Sequence, residues 1–411
     1  MNQRILLSAF ACDPVFGSDE EVGWQWARQL SDRGFDVTVI TRASHQATIE
    51  AHVSKTGECQ KVRFLYVDLP ALHSVLRRFN RRNHLYYYVW QWAAYRVAAR
   101  AHQERRFDLV HHVTWVSFRQ PSFMWKLGIP FYFGPVAGGD EIPAGYTAEF
   151  SWSQRMVEVV RHIANSVVRF DPLMRLTFGR AERVFFTSEG HLNKVSPRVA
   201  KSARVELAIG CDALPLANYS EAVPRKGTRL VFVGRCIGLK GMDLGLQAFA
   251  RALAADSSLT LTIIGDGVDR ARWQQSAEHL GISHVVTWLG WMTKDEVLAR
   301  YKDFDLLFYP SLRDSGGFVV LEALQCGLPV VCFRLGGPGV VVDDTCGAAV
   351  AAGTNVDSTL NEFADAVIRV LARVRSDPAL SSACRKRVQA FGWDALIERI
   401  YGNPKYVEAT V

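Results

Sequence analysis

The chain has 411 residues, too many for one ordinary core, and its 49% apolar and 22% charged residues suit a soluble protein of two or three domains. Its net charge of +7 favours an anionic partner, yet the basic residues form no recognisable nucleic-acid module, which argues against nucleic acid. The eight cysteines lack the Cys-x-x-Cys spacing of a zinc site, and no run of 18 apolar residues occurs, so buried thiols and no transmembrane helix are expected.

Arg4 to Phe10 reads as a first strand rather than a lipoprotein signal, because a glycine loop (Ala11 to Asp19, with Gly17) and an amphipathic helix follow at once. Glu20 to Arg33 has helical spacing through Val22, Trp26 and Leu30, and Gly34 stops it. Phe35 to Thr41 is the second strand and completes a βαβ unit. Leu72, Val75, Leu76 and Phe79 then share one helical face, while Arg77, Arg78, Arg81 and Arg82 crowd the other, and Tyr86 to Trp92 is aromatic. Arginines beside interfacial aromatics suit an anionic leaflet, at about 1 kcal/mol per basic residue near the surface. Residues 72–92 are therefore expected to touch a membrane, with an ordinary exposed helix leading into a core helix as the plainer alternative.

Phe107 to Trp115 is a strand with His111 and His112 near its carboxyl edge, where ligands of open parallel sheets gather. Side chains alternate along a strand, so one of the pair is expected to face a cleft; either could instead be a hydrogen-bonded core histidine. Phe131 to Glu141 is a strand and a glycine loop with two acids, residues 151–180 are helical, and Arg183 to Ser188 and Val205 to Ile209 are further strands. The polar, irregular stretch 213–228 reads as a linker, after which strand and helix alternation restarts at Arg229. The predicted divisions are 1–212, 213–228, 229–388 and a terminal helical segment, 389–411.

In the second half, the loop Gly234 to Gly241 places Arg235 and Lys240 between a strand and a helix marked by Met242, Leu246, Phe249 and Leu253. Two cations on such a loop suit a diphosphate, each charge-assisted hydrogen bond being worth roughly 1.5–3 kcal/mol. Asp305 to Tyr309 is a buried strand, Ser311 to Gly317 a polar loop, Phe318 to Cys326 a helix, and Pro329 to Phe333 another strand. Ser315 is the expected N-cap, and Gly316 and Gly317 let a phosphate approach the first amides of the helix, near Phe318 and Val319. Asp314 sits at the mouth of this cradle and Glu322 lies eight residues on, suited to sugar and ribose hydroxyls. The spelling Asp303-Phe304-Asp305 is not read as a metal site, because a buried strand begins at Asp305.

The stretch Asp314 to Glu322 resembles the donor motif of retaining family-4 glycosyltransferases of the GT-B type, in which two acids are separated by seven residues. Here Asp314 stands for the usual Glu, and Ser315-Gly316-Gly317-Phe318 replaces the commoner Gly-Phe-Gly run. Arg235 and Lys240 resemble the family's Gly-Arg and Lys-Gly signature, and Ala11 to Trp24 is similar to bacterial members that build surface polysaccharides. The resemblance implies an α/β GT-B fold, two Rossmann-like doubly wound parallel-sheet domains facing a cleft, with the terminal helix crossing back. It implies a metal-independent hexosyltransferase with no cofactor, while the retained first strand points to a cytoplasmic protein and residues 72–92 to the inner face of the plasma membrane. Its donor would be a nucleotide diphosphate sugar and its acceptor a lipid-linked glycan of cell-surface polysaccharide synthesis. Arg235 and Lys240 would hold the leaving diphosphate, Asp314 the sugar, Glu322 the ribose, and Gly17, Gly316, Gly317, Phe318 and Val319 would line the donor site. His111 or His112 would orient the sugar. A sugar-nucleotide epimerase and a catalytically silent sugar-nucleotide-binding protein are the alternatives.

Overall fold

The computed structural model describes residues 3–15, 19–69, 84–208, 210–211 and 227–402. Two compact units result: Met1–Gly139 with Ile163–Ile209, and Asp140–His162 with Gly210–Val411. The first is built on a parallel sheet of β1 (Arg4–Ala9), β2 (Asp36–Arg42), β3 (Arg63–Val67), β4 (Leu109–Thr114), β5 (Phe131–Val136), β6 (Arg183–Phe186) and β7 (Arg204–Val205). Its strands lie in the order β3-β2-β1-β4-β5-β6-β7. The nearly unbroken burial of β1, β4 and β5 is what a parallel sheet covered on both faces requires. Helices α1 (Asp19–Asp32), α2 (Gln46–Thr56), α3 (His84–Glu104), α4 (Trp152–Val167), α5 (Pro172–Arg180) and α6 (Pro197–Ser202) follow in chain order, and the division into units cuts α4 after His162.

The second unit repeats the scheme with β8 (Arg229–Val233), β9 (Thr260–Ile264), β10 (Val286–Gly290), β11 (Leu306–Tyr309), β12 (Val330–Phe333) and β13 (Gly347–Val350), in the order β10-β9-β8-β11-β12-β13. Its helices are α7 (Met242–Ala255), α8 (Arg270–His279), α9 (Lys294–Arg300), α10 (Phe318–Gln325), α11 (Gly336–Val341), α12 (Val356–Ser376), α13 (Leu380–Gln389) and α14 (Trp393–Tyr401). In each sheet the chain winds outward in both directions from a central pair, β1 and β4 or β8 and β11. The crevice beyond the carboxyl ends of such a pair is where doubly wound sheets bind ligands.

The predicted strands and helices around the charged loops are present within one or two residues. Strands β3 and β13 have no counterpart in the sequence reading, and the strand expected at Val205 to Ile209 pairs only at Arg204–Val205. Segment 140–162, expected within the first half, groups with the second unit. Gly17, residues 72–83 and most of the linker lie outside the described residues. Of the aromatic stretch that follows, Tyr87 and Trp90 are core residues of α3, while Trp92 is exposed. Seven cysteines are buried and Cys211 half-buried, all as free thiols. Among the described residues, no helix is long and apolar enough to cross a membrane.

Candidate functional site

The switch point of the second sheet gathers most of the predicted donor residues. The loop after β8 carries Arg235 and Lys240, and the loop after β11 carries Asp314, Gly316 and Gly317. Glycine is required where these loops meet. Gly241 begins α7 at φ 66°, and a Cβ there would lie 2.1 Å from the carbonyl oxygen of Pro310. Gly336 (φ 56°) presses as closely on the backbone of Asp314, whose carbonyl also accepts from the Gly337 amide at 2.7 Å. The loops after β8, β11 and β12 are thereby locked together by backbone contacts before any side chain is counted.

Asp314 organises the side chains. Its Oδ1 accepts from the amides of Gly316 and Gly317, each at 3.1 Å. Its Oδ2 accepts from Lys240 Nζ at 2.8 Å and from the Tyr309 hydroxyl. Lys240 Nζ also donates to the Tyr309 hydroxyl at 2.7 Å. A carboxylate offers about four lone-pair sites, so Asp314 is saturated. Burial raises its pKa, but the charge and hydrogen bond of Lys240, the Tyr309 hydroxyl and the Gly317 amide outweigh burial, and the carboxyl titrates below the ordinary aspartate value. Burial and the same carboxylate push the Tyr309 phenol well up.

This geometry changes two expectations. Ser315 does not cap α10; Gly317 occupies the N-cap position in a left-handed conformation, and Asp314 binds the Gly316 and Gly317 amides of the loop before the helix. The Gly316 and Gly317 amides, expected to face phosphate, are spent on that carboxylate. The amides of Phe318 and Val319 belong to the first turn of α10, where no helical acceptor exists. Asp314, expected from the sequence to face the sugar, holds Lys240 and the amides of Gly316 and Gly317.

Arg235 is exposed, and its guanidinium meets no carboxylate among the described residues. Glu322 lies one turn into α10, with Lys294 Nζ 3.5 Å from its Oε1. Lys294 is the first residue of α9, whose start is fixed by a capping box between Thr293 and Glu296. Two exposed apolar residues, Val268 and Trp291, stand just beyond the carboxyl ends of β9 and β10. Arg313 was missed by the sequence reading. It forms a fork-shaped ion pair with Glu158, 2.9 Å from NH2 to Oε1, and both side chains are largely buried. Its neighbour Asp314 is the only hint in the sequence.

Asp305 is fully buried at the start of β11 and accepts from the amides of Thr228 and Arg229 and from the Arg229 guanidinium. It therefore lies at the amino end of the strand, away from the loop that carries Asp314. Among the described residues, no group of three or more His, Cys, Asp or Glu side chains is arranged to hold a metal ion.

The switch point of the first sheet has a different character. His111 and His112 point to opposite faces of β4, and both rings are enclosed. His111 Nε2 lies 2.9 Å from the Gly134 carbonyl and packs on Trp26; His112 Nε2 lies 3.0 Å from the Tyr87 hydroxyl. Burial lowers their pKa values to about 3 for His111, against a partly opposing bond to Gly134, and to about 4 for His112. The expectation that one ring is open to a cleft is thus replaced by two core histidines, the alternative left open by the sequence. Beyond them, at the carboxyl end of β4, Val22, Val113, Trp115, Val116, Pro135 and Ala137 line a largely apolar pocket of about 220 Å³. Trp115 is held there at φ 54°, unusual for a bulky residue.

Comparison with known proteins agrees with this architecture. Residues 219–387 match the model of glycosyl transferases group 1, and residues 21–208 match a glycosyl transferase 4-like domain. The D-inositol 3-phosphate glycosyltransferase of Saccharomonospora viridis is 29% identical over 318 residues, covering 71% of this chain and 69% of that protein. The protein of the same name from Actinosynnema mirum is 26% identical over 410 residues, covering 93% and 91%. The apo form of the lipopolysaccharide outer core galactosyltransferase WaaB superimposes with a TM-score of 0.61 at 13% identity, covering 97% of this chain and 99% of that one. Anabaena Alr3699/HepE in complex with UDP gives 0.59 at 16% identity, covering 97% and 98%. With both family models matched in sequence order on two Rossmann-like units, the chain belongs to the group 1, family-4 glycosyltransferases of GT-B fold and is an enzyme of the hexosyltransferase type.

Proposed function

We propose that the enzyme moves a hexosyl group from a nucleotide diphosphate sugar to a hydroxyl of a lipid-linked glycan, with retention at the anomeric carbon and without a metal. The observation that carries this reading is the Lys240–Asp314 pair at the β8/β11 switch point, flanked by the exposed Arg235 and the first turn of α10. Cleavage of the anomeric carbon–oxygen bond leaves its electron pair on the diphosphate. Arg235, Lys240 and the amides of Phe318 and Val319 supply the positive groups for that charge. The acceptor oxygen forms the new bond on the same face, and its proton passes to the departing phosphate oxygen. Glu322 takes the ribose hydroxyls, and Trp291 and Val268 offer apolar surface to the base.

Asp314 acts in this scheme as a positioning residue. It keeps Lys240 anchored and shapes the loop that leads into α10. The UDP complex of HepE supports a nucleotide-linked donor, as do complexes of the same protein with UDP and glucose and with UDP-glucose.

The test is transfer itself. Nucleotide sugars are first screened for thermal stabilisation, since a ligand at 100 times its Kd adds about 2.7 kcal/mol. The stabilising donor is then supplied with a lipid-linked acceptor, and the product anomer is read by NMR. Transfer with retention, unaffected by EDTA, is expected. An inverted product, epimerised donor, or donor binding without turnover would each overturn the reading, as would loss of activity to EDTA restored by magnesium or manganese.

A further inference from the structure

Helix α4 is amphipathic in the reverse sense. Trp152, Met156, Val159, Val160, Ile163 and Val167 recur at helical spacing on one face, and all are exposed, Trp152 at 77% and Ile163 at 56%. The polar face is the one turned to the protein. Gln154 donates to Asp269 at 2.8 Å, Glu158 pairs with Arg313, and Asn165 accepts from Arg119 at 2.8 Å. A solvated helix ordinarily buries its apolar stripe, so these contacts hold an apolar strip outward. Just past the helix, Phe170 is 68% exposed under the Arg169 guanidinium.

The charge around the strip is mostly basic. Between residues 152 and 180 the exposed ionisable side chains are Arg155, Arg169, Arg175, Arg180 and His162, the last with its Nδ1 3.0 Å from Glu141 Oε2. Both acids of this stretch are engaged: Glu158 with Arg313, and Asp171 as the N-cap of α5, accepting from the amides of Leu173 and Met174. A second copy of the chain would bring two such basic rims together. An anionic bilayer neutralises the rim while burying the strip, and Trp152 and Phe170 stand where interfacial aromatics anchor a helix in the plane of the headgroups.

We infer that α4 and the turn to Phe170 form a docking surface for anionic membranes. Its residues do not overlap the stretch 72–92. It does not depend on which sugar the enzyme moves.

The test is sedimentation of the full chain, without donor or acceptor, with vesicles of phosphatidylcholine alone or with phosphatidylglycerol added. Wild type is expected to partition to the anionic vesicles, with binding weakened by salt. Val160→Glu/Ile163→Glu should lower partitioning at least about tenfold, and Arg169→Glu/Arg175→Glu should lower it several-fold and flatten the salt dependence. Hydrogen exchange on the unmodified protein gives a readout free of folding effects: residues 152–170 should gain protection when anionic vesicles are added. Wild type remaining in the supernatant, or variants that sediment like it, would overturn the inference. So would a lipid-free dimer that Val160→Glu/Ile163→Glu converts to monomer, which would assign the strip to a second copy. Sugar transfer to a soluble acceptor is read separately, so the two proposals fail independently.

Discussion

The two sheets share one winding scheme, yet their switch points hold opposite chemistry. At the end of β8 and β11 stand Lys240, Asp314, Tyr309 and the exposed Arg235; at β1 and β4 two histidines are enclosed within β4, and an apolar pocket and a strained Trp115 lie at its carboxyl end. Topology therefore fixes where a crevice forms, and the few residues that leave the central strands decide what it accepts. One crevice is prepared for charge. The other has had its charge removed by burial.

The largest effect expected from this contrast is on turnover. Lys240→Ala should lower kcat by about 10²–10³, the usual loss for one group stabilising an oxyanion, with a much smaller change in donor affinity. Steady-state kinetics beside donor titration checks this, and equal losses in both would contradict a role in the transition state. Because Lys240 also pairs with Asp314, Arg235→Ala, which breaks no ion pair among the described residues, provides the independent comparison.

Next is Asp314→Ala, expected to cost about 3 kcal/mol of stability by stranding Lys240 and leaving the Gly316 and Gly317 amides without their acceptor. Asp314→Asn keeps an acceptor for those loop amides and should recover part of the stability without restoring turnover. Urea titration with parallel kinetics separates the two losses. Full activity in Asp314→Asn would show that the carboxylate does not anchor the lysine.

Acid should strike the first unit. The folded pKa values of His111 and His112 lie below the unfolded value near 6.5, so the unfolded chain binds their protons first. Stability is then lost as pH falls from about 6.5 toward 3 for His111 and 4 for His112, at about 1.4 kcal/mol per pH unit for each ring. Asp243 behaves in the opposite sense in the second unit. Burial raises it to about 6, so the cost of ionising it builds as pH rises from its unfolded value and is relieved by acid. Denaturation at pH 7, 5 and 4 tests this, and His112→Gln should flatten the acid slope. The smallest effect is expected from Trp291→Ala, which should weaken the donor by about 0.5–1.5 kcal/mol if its ring meets the base; unchanged affinity would move the base elsewhere.

Much of this contrast is legible in the residues. Strand and helix alternation, its restart at Arg229, and the cations Arg235 and Lys240 between strand and helix are local patterns, and local patterns survive folding. The start of α10 at Phe318 was legible for the same reason. The saturation of Asp314 was not, because it requires Lys240, 74 positions away, to arrive at 2.8 Å. Neither was the enclosure of His111 and His112, since alternation along β4 assigns faces but not what covers them. Helix α4 deceived differently. Its apolar stripe is visible in the sequence, and only Glu158, Gln154 and Asn165 finding partners shows that the stripe faces outward.

Glu158 also bears on how this enzyme can be taken apart. It belongs by sequence to the first half, yet it neutralises Arg313, the residue next to Asp314. A chimera joined at the 213–228 linker would import a foreign segment 140–162 beneath the charged loop, and the second half expressed alone would leave that guanidinium buried without its counterion. Exchanging specificity between relatives therefore calls for three cuts in the gene, not one.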